Sequence, residues 1–377
     1  MKQSILPFIQ KSCAHIIKSN NEKEVISLSL VSKWGFALFG PGGHAKSMMV
    51  ERIQQSIRGC KWNIKSVGSG TDMDQLKGGI SLDAIEGADG QGRRIMFNYQ
   101  YSPLNCNILT LEEGFDLPTS VLTDFKDWIT SKRFRDGNEE YKLPLVSVNI
   151  CTNKEPGEVA AKGPEVAALI ERFPLQYRSA WETYTAADYQ ELFNAPEPQD
   201  CEIEWSEILV LQAKAEQVVF PNSVKKILSE MLQKAGEKGE KISPRTANLA
   251  VAIIRAACVI HGRSEVEKSD IVAIKYLPGC QDLAATIEAE IDNAHKRSVA
   301  EEELTTIESR FTSLKAEGHE ATAPIKVLQT VKGLRSLSDQ LSGLGVPDTL
   351  VERRNKLREA VDAQIPVLQK RAEDVTR

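Results

Sequence analysis

Lys46 and Ser47 close the stretch Phe39-Gly40-Pro41-Gly42-Gly43-His44-Ala45-Lys46-Ser47. A glycine-rich turn ending in Lys-Ser cradles phosphate oxygens with backbone N–H groups when a helix follows it. The spacing follows G-x-x-x-x-G-K-S/T with one departure, Ala45 in place of the last glycine. On this reading Gly40 to Met48 surround a nucleotide's phosphates, Lys46 reaches the β- and γ-phosphates, and the Ser47 hydroxyl meets Mg²⁺. Glu112 and Glu113 follow the apolar run "NILTL". In such sites the first carboxylate helps hold Mg²⁺ and the second positions or deprotonates the attacking water. Asn153 ends another apolar run, where its amide can orient water near the γ-phosphate. Arg172 and Arg245 are the cationic candidates, because phosphoryl transfer calls for an arginine, often one donated by a neighbouring subunit. Each residue also has a plainer reading: a ligand-free turn, an acidic strand end, a Thr-Asn turn, a helix ion pair. Arg245 sits in a first helical turn, where a cation gains nothing from the helix dipole. An external anion is a better reason for its place.

These side chains need elements to hold them. "WGFALFG" (34–40) reads as a buried strand that stops at glycines, and 46–58 follows with helical spacing at Val50, Ile53 and Ile57. "NILTLEE" (107–113) and "LPLVSVNICTN" (143–153) are further strands with helical patterns between them. That alternation implies an α/β fold, a parallel sheet with helices on its faces. Ligands of such sheets bind past the carboxyl ends of the strands, where the glycine-rich loop, the acidic pair and Asn153 all fall. "KRFRDGNEEYKLP" (132–144) reads as a hairpin, and 86–103 as a second hairpin or loop.

A linker rich in proline and acid at 195–205 leads into an all-helical region. Its three helices open at Asn222 or Ser223, at Ser243-Pro244 and at Ser269-Asp270. The domains expected are 1–195 (α/β core), 205–280 (helical lid) and 281–377 (helical arm). In the arm, steps of three and four residues mark amphipathic helices at 284–316, from Ile287, Ile291 and Ala294 to Leu314, then at 325–344 and 349–375. They form a three-helix antiparallel arm, or a helical hairpin with a third helix docked.

Composition narrows the partners. At 377 residues, 41% hydrophobic and 26% charged, the chain can bury a sizeable core. A net charge of -5 argues against a nucleic-acid binder. The seven cysteines are odd in number and show no C-x-x-C spacing, so buried reduced thiols fit better than a metal site. No run approaches the ~18 apolar residues of a membrane span, and the N-terminus has no signal-peptide pattern. A cytoplasmic protein without membrane contact is expected.

With these segments in order, the chain resembles the MoxR family of AAA+ ATPases, and within it the RavA-like branch. That family's loop is G-P-P-G-x-A-K-S. Gly40, Pro41, Gly43, Ala45, Lys46 and Ser47 match it, and Gly42 replaces the second proline. "LKGGISLDAI" (76–85), the segment 111–156 with its "RFRDG" turn, "IERFPLQYR" and "SPRTANLAVAIIRAACVIHGRSEVEKSDI" are similar to further family segments. The resemblance spans about 5–280 and implies ATP and Mg²⁺ as ligands. It also implies Asn153 as sensor 1, Arg245 as sensor 2, and Arg172 or Arg178 acting on a neighbour's nucleotide. A homo-oligomeric ring, usually a hexamer, and a von Willebrand A-domain partner are implied too. One departure stands out: Glu112 replaces the family's aspartate.

Three functions follow as expectations. One is an ATP-driven chaperone that remodels a partner protein. Another is a nucleic-acid motor using the basic hairpin residues Lys132, Arg133, Arg135 and Lys142, with Arg93 and Arg94. The third is a nucleotide-binding scaffold with weak hydrolysis, motivated by Glu112.

Overall fold

The computed structural model describes residues 5–80, 97–136, 139–180, 184–197, 201–237, 239 and 242–376. The chain divides into two compact units, Met1–Ala285 and Thr286–Arg377.

The first unit opens with α1 (Ile5–Ser12) and α2 (Asn20–Ser32), then β1 (Phe36–Phe39) and α3 (Lys46–Gln55). Next come β2 (Ile57–Arg58), β3 (Trp62–Ser66), α4 (Met73–Lys77) and β4 (Ile108–Glu112). After α5 (Thr119–Ser131) the strands β5 (Arg133–Asp136) and β6 (Glu139–Lys142) pair antiparallel, the hairpin expected at 132–144. The chain continues through β7 (Ser147–Cys151), α6 (Pro156–Ala160), α7 (Pro164–Ile170), β8 (Leu175–Arg178) and α8 (Ala186–Phe193). The two-residue β9 (Ile203–Glu204) pairs with β2, and α9 (Trp205–Gln217), α10 (Asn222–Glu237) and α11 (Pro244–Ile260) complete the regular elements up to a 3₁₀ stretch, Lys268–Tyr276.

Five strands form one parallel sheet in the order β3-β4-β7-β1-β8. Helices flank it, giving the α/β AAA+ fold. β1 and β7 are buried at every residue, as central parallel strands covered on both faces must be. Packing between them is tight: a Cβ on Gly35 would lie 1.9 Å from the Val148 carbonyl oxygen. Phe39 stacks on Phe115 at 5.7 Å, and Phe173 meets Phe115 edge-on at 6.0 Å, so an aromatic cluster backs the strand that ends in the loop.

The structure corrects several expectations. β3 ("WNIKS") and β8 ("LQYR") were not foreseen, because each carries only two apolar residues in four or five and shows no run. Ile57 lies in β2, past the end of α3, since the helix stops at Gln55. The third element expected in the helical region is a 3₁₀ stretch capped by Glu267, whose reciprocal bonds with Asp270 displace the Ser269-Asp270 start. Most of the second hairpin expected at 86–103 lies outside the described residues. Its described end holds Phe97, bridged to Ile80, and a 3₁₀ turn at Tyr99–Tyr101.

The second unit is built from α12 (Gln281–Glu320), which starts just before the unit's first residue, α13 (Pro324–Gly343) and α14 (Asp348–Thr376). Three-residue and four-residue connections make successive helices antiparallel. Glycines set the closest approaches: a Cβ on Gly318 would lie 2.5 Å from Leu368 Cδ1 and 3.1 Å from Thr330 Cγ2, and one on Gly333 would lie 3.1 Å from Leu314 Cδ1. Leu304, Val327, Leu334, Leu337, Leu341, Val361 and Leu368 form its buried core. The stripe expected on α12 holds only in part, because Ala294 and its neighbours over 292–299 are all exposed.

Candidate functional site

The register of the sheet sets the geometry. Ser66, Glu112, Cys151, Leu38 and Tyr177 lie in one row across the five strands. One residue further on come Glu113, Thr152, Phe39 and Arg178, and then the glycine-rich loop. Residues far apart in sequence thus meet at the carboxyl edge.

In the loop Gly40 (φ 112°) and Gly43 (φ 90°) take backbone conformations that favour glycine. A Cβ on Gly40 would overlap the Ser179 carbonyl oxygen at 2.1 Å. Ala45 is also left-handed, at φ 54°, ψ 20°, and caps α3. This is why a generic loop puts glycine there, and holding alanine in that well costs about 1–2 kcal/mol. Lys46 is 6% exposed, and its Nζ donates to the carbonyls of Gly40 at 2.7 Å and Pro41 at 2.8 Å. Burial pulls its pKa below the usual lysine value, against the fields of Cys151, Glu113, Glu22 and Glu155. His44 Nδ1 lies 3.0 Å from the Pro41 carbonyl.

The two glutamates turn opposite ways. Glu113 (φ 55°) accepts from Thr152 Oγ1 and from the Asn153 backbone N–H, each at 3.2 Å, on the side of β4 toward β7 and the loop. The Glu112 carboxylate accepts from the Ser66 hydroxyl on β3, the side away from β1. Asn153 is exposed, with Oδ1 3.8 Å from where a Cβ on Gly42 would sit, so it stands beside the loop. Behind it Lys154 and Lys162 pair with Asp116 at 2.9 and 3.2 Å. Burial raises that carboxyl's pKa, but bonds to the two lysines outweigh it and leave it below the usual range.

The arginines are placed differently from one another. Arg178 ends β8 on the loop's own edge, opposite Phe39, and pairs with Glu155. Arg172 lies before β8 begins, at the opposite end of the strands. Its Nε donates to Thr130 Oγ1 at 3.3 Å and its Nη1 to the Ala168 carbonyl at 2.9 Å, just past the end of α7. Arg245 is exposed in the first turn of α11, one residue after the expected Pro244, with Ser243 as cap. In the basic hairpin Arg133 is bonded to Glu140 at 2.6 Å. Arg93, Arg94 and the side chain of Arg135 lie outside the described residues.

The donor set suits the ligands such a loop takes. Left-handed glycines, a buried lysine and a helix N-terminus make a phosphate cradle. A hydroxyl (Ser47) and carboxylates at its rim are hard oxygen donors of the kind Mg²⁺ takes. Sequence reasoning missed the space beside the cradle. A cavity of about 460 Å³ opens next to Gly43–Ala45, walled by Ile16, Ile17, Tyr177, Tyr184 and Tyr189. Burial, with Arg52 and Lys23 near, lowers the pKa of His15 at its rim. The nearby tyrosines Tyr184 and Tyr189 were the available signal, but nothing local tied them to the loop.

The model of the MoxR domain in the MoxR-vWA-beta-propeller ternary systems matches residues 4–202. The chain belongs to this MoxR family of AAA+ ATPases. Two uncharacterized proteins from Methanocaldococcus jannaschii are similar to it. One is 23% identical over 70% of this chain and 67% of its own length, the other 21% identical over 70% and 68%. The crystal structure of a candidate ATPase from Cytophaga hutchinsonii shares the fold, with a TM-score of 0.59 and 15% identity over 76% of this chain and 93% of that one. The MoxR match covers the whole carboxyl edge, from the loop to Arg178. Among the described residues no helix is long and apolar enough to cross a membrane.

Proposed function

We propose that the chain hydrolyses ATP in a ring, usually of six copies, and uses the cycle to remodel a partner protein, as a RavA-like MoxR chaperone. The observation that carries this reading is the convergence of Lys46, Glu113 and Asn153 on one loop edge. Gly40 to Met48 wrap the phosphates and Lys46 turns from the loop carbonyls to the β- and γ-oxygens. Ser47 and Glu112 would hold Mg²⁺, which supplies charge stabilisation of the transferring phosphoryl group. Glu113, oriented by Thr152 and Asn153, takes the proton of the attacking water. Arg172 lies at the end of the sheet away from its own loop, which favours it over Arg178 as the residue given to a neighbour's nucleotide. Residues 205–280 act as the lid, with Arg245 facing the nucleotide, and 281–377 as an arm that meets clients. A von Willebrand A-domain protein is the partner, in keeping with the family's description. A cytoplasmic location fits these roles.

The test is turnover and nucleotide binding by the full chain. Lys46→Ala should weaken ATP binding by about a hundredfold or more, the loss of a charge-assisted contact. Wild-type protein that neither binds nor hydrolyses ATP would refute the proposal.

A second reading, a nucleotide-binding scaffold with slow hydrolysis, is favoured by the Ser66 hydroxyl drawing Glu112 away from the loop. Glu112→Asp and Ser66→Ala should then each raise turnover several-fold. Brisk wild-type hydrolysis, unchanged in both, would leave only the first reading.

A further inference from the structure

Tyr276 ends the 3₁₀ stretch that comes after α11 and is 1% exposed. Its hydroxyl has one proton and two acceptors, Glu24 Oε2 at 2.7 Å and Asn21 Oδ1 at 3.0 Å. Lys275 pairs with the same Glu24 oxygen at 3.2 Å and lies 4.9 Å from the Tyr276 ring centre. An asparagine amide can present oxygen or nitrogen to a neighbour, and the surrounding donors decide which. The single Tyr276 proton goes to the Glu24 carboxylate, the nearer and charged acceptor, so the Asn21 amide lies against the Tyr276 oxygen at 3.0 Å and meets the hydroxyl with whichever end faces it. The other end of the same amide lies 3.1 Å from the Tyr177 hydroxyl, so Asn21 bridges the two tyrosines. The Tyr276 ring also meets the Tyr177 ring edge-on, with centroids 6.0 Å apart. Tyr177 is a wall of the cavity beside the loop. Its strand neighbour in the sheet is Leu38, one residue before the end of β1.

The cavity wall at Tyr177 is thus in contact, through Asn21 and ring to ring, with a residue nearly a hundred positions further along the chain. We propose that Tyr276 is a positioning residue for the nucleoside half of the site, acting through Asn21 on Tyr177. This rests on the reading that the loop and cavity take ATP. It makes affinity for the base depend on how the segment 268–276 is seated, and leaves affinity for the phosphates to the loop.

The test compares ATP with inorganic tripolyphosphate, which carries the phosphates without the base. Binding of both is measured on full-length wild type, Tyr276→Phe, Asn21→Ala and Lys46→Ala. Phenylalanine keeps the ring contact and removes only the hydroxyl. Tyr276→Phe should weaken ATP about fivefold, the scale of one buried hydrogen bond, and leave tripolyphosphate within about twofold. Asn21→Ala should show the same split, and it decides the matter alone if Tyr276→Phe fails to fold. Lys46→Ala should weaken both ligands. Equal weakening of ATP and tripolyphosphate would mean general loosening and overturn the proposal, as would unchanged ATP binding in both variants. If wild type binds ATP and the variants match it, only this inference falls. If wild type binds neither ligand, the nucleotide reading falls and takes this one with it.

Discussion

The carboxyl edge of the sheet and the three-helix second unit solve opposite problems. The edge gathers groups from five strands and holds charge out of water: Lys46, Lys23 and Glu22 are each 6% exposed or less. Every one is tied to a carbonyl or hydroxyl, as a buried charge must be. Lys23 donates to the Ile16 carbonyl at 2.6 Å, and Glu22 accepts from Ser179 at 2.6 Å. The hydrophobic cluster of the second unit is leucine, valine and alanine on three helices joined by short turns. One region satisfies buried charge with polar partners, and the other packs apolar side chains between its helices. Their responses to perturbation should differ accordingly.

Leu334, fully buried at the centre of α13, gives the largest contrast. Leu334→Ala should cost about 2–5 kcal/mol of the second unit's stability. Helix content on heating should show that loss while ATP affinity stays at the wild-type value. An equal loss of affinity would break the separation of the two regions. Ala45→Gly probes the edge in the other direction. It removes the left-handed strain at φ 54° at some cost in unfolded-chain entropy, for a net gain of about 0.5–1 kcal/mol. Urea midpoints of the two proteins would measure it, and a loss of stability would show that Ala45 is not strained.

The smallest effect is one of pH. Burial lowers the pKa of Lys132, between α5 and β5, to about 8. The folded state then binds fewer protons than the unfolded chain between that value and the ordinary lysine pKa, so stability rises with pH through this window. Lys132→Met should therefore raise the melting temperature by a degree or two at pH 7, and the gain should vanish near pH 10. A gain of the same size at both pH values would point to packing rather than charge.

How much of this was legible beforehand obeys the same division. The helices of the second unit follow from 3.6-residue periodicity, a local signal that needs no partner. Even there Ala294 was misread, because periodicity says where a stripe runs and not whether anything covers it. In the first unit the loop was legible because Gly40, Gly43 and Lys46 are adjacent in the chain. So was the strand ending in Glu112 and Glu113, a short apolar run with two charges after it. β8 was not: Gln176 and Arg178 hide a strand whose place depends on pairing with β1.

Along the chain alone, the phosphate loop, the acidic pair and the amphipathic helices can be read. All of these rest on residues within a few positions of one another. Folding in three dimensions is what turns Glu113 toward the loop and Glu112 away, sets Arg172 and Arg178 at opposite ends of the strands, and brings Tyr276 to Tyr177 through Asn21. Those outcomes depend on strand order and register, which bring together side chains that no spacing along the chain relates.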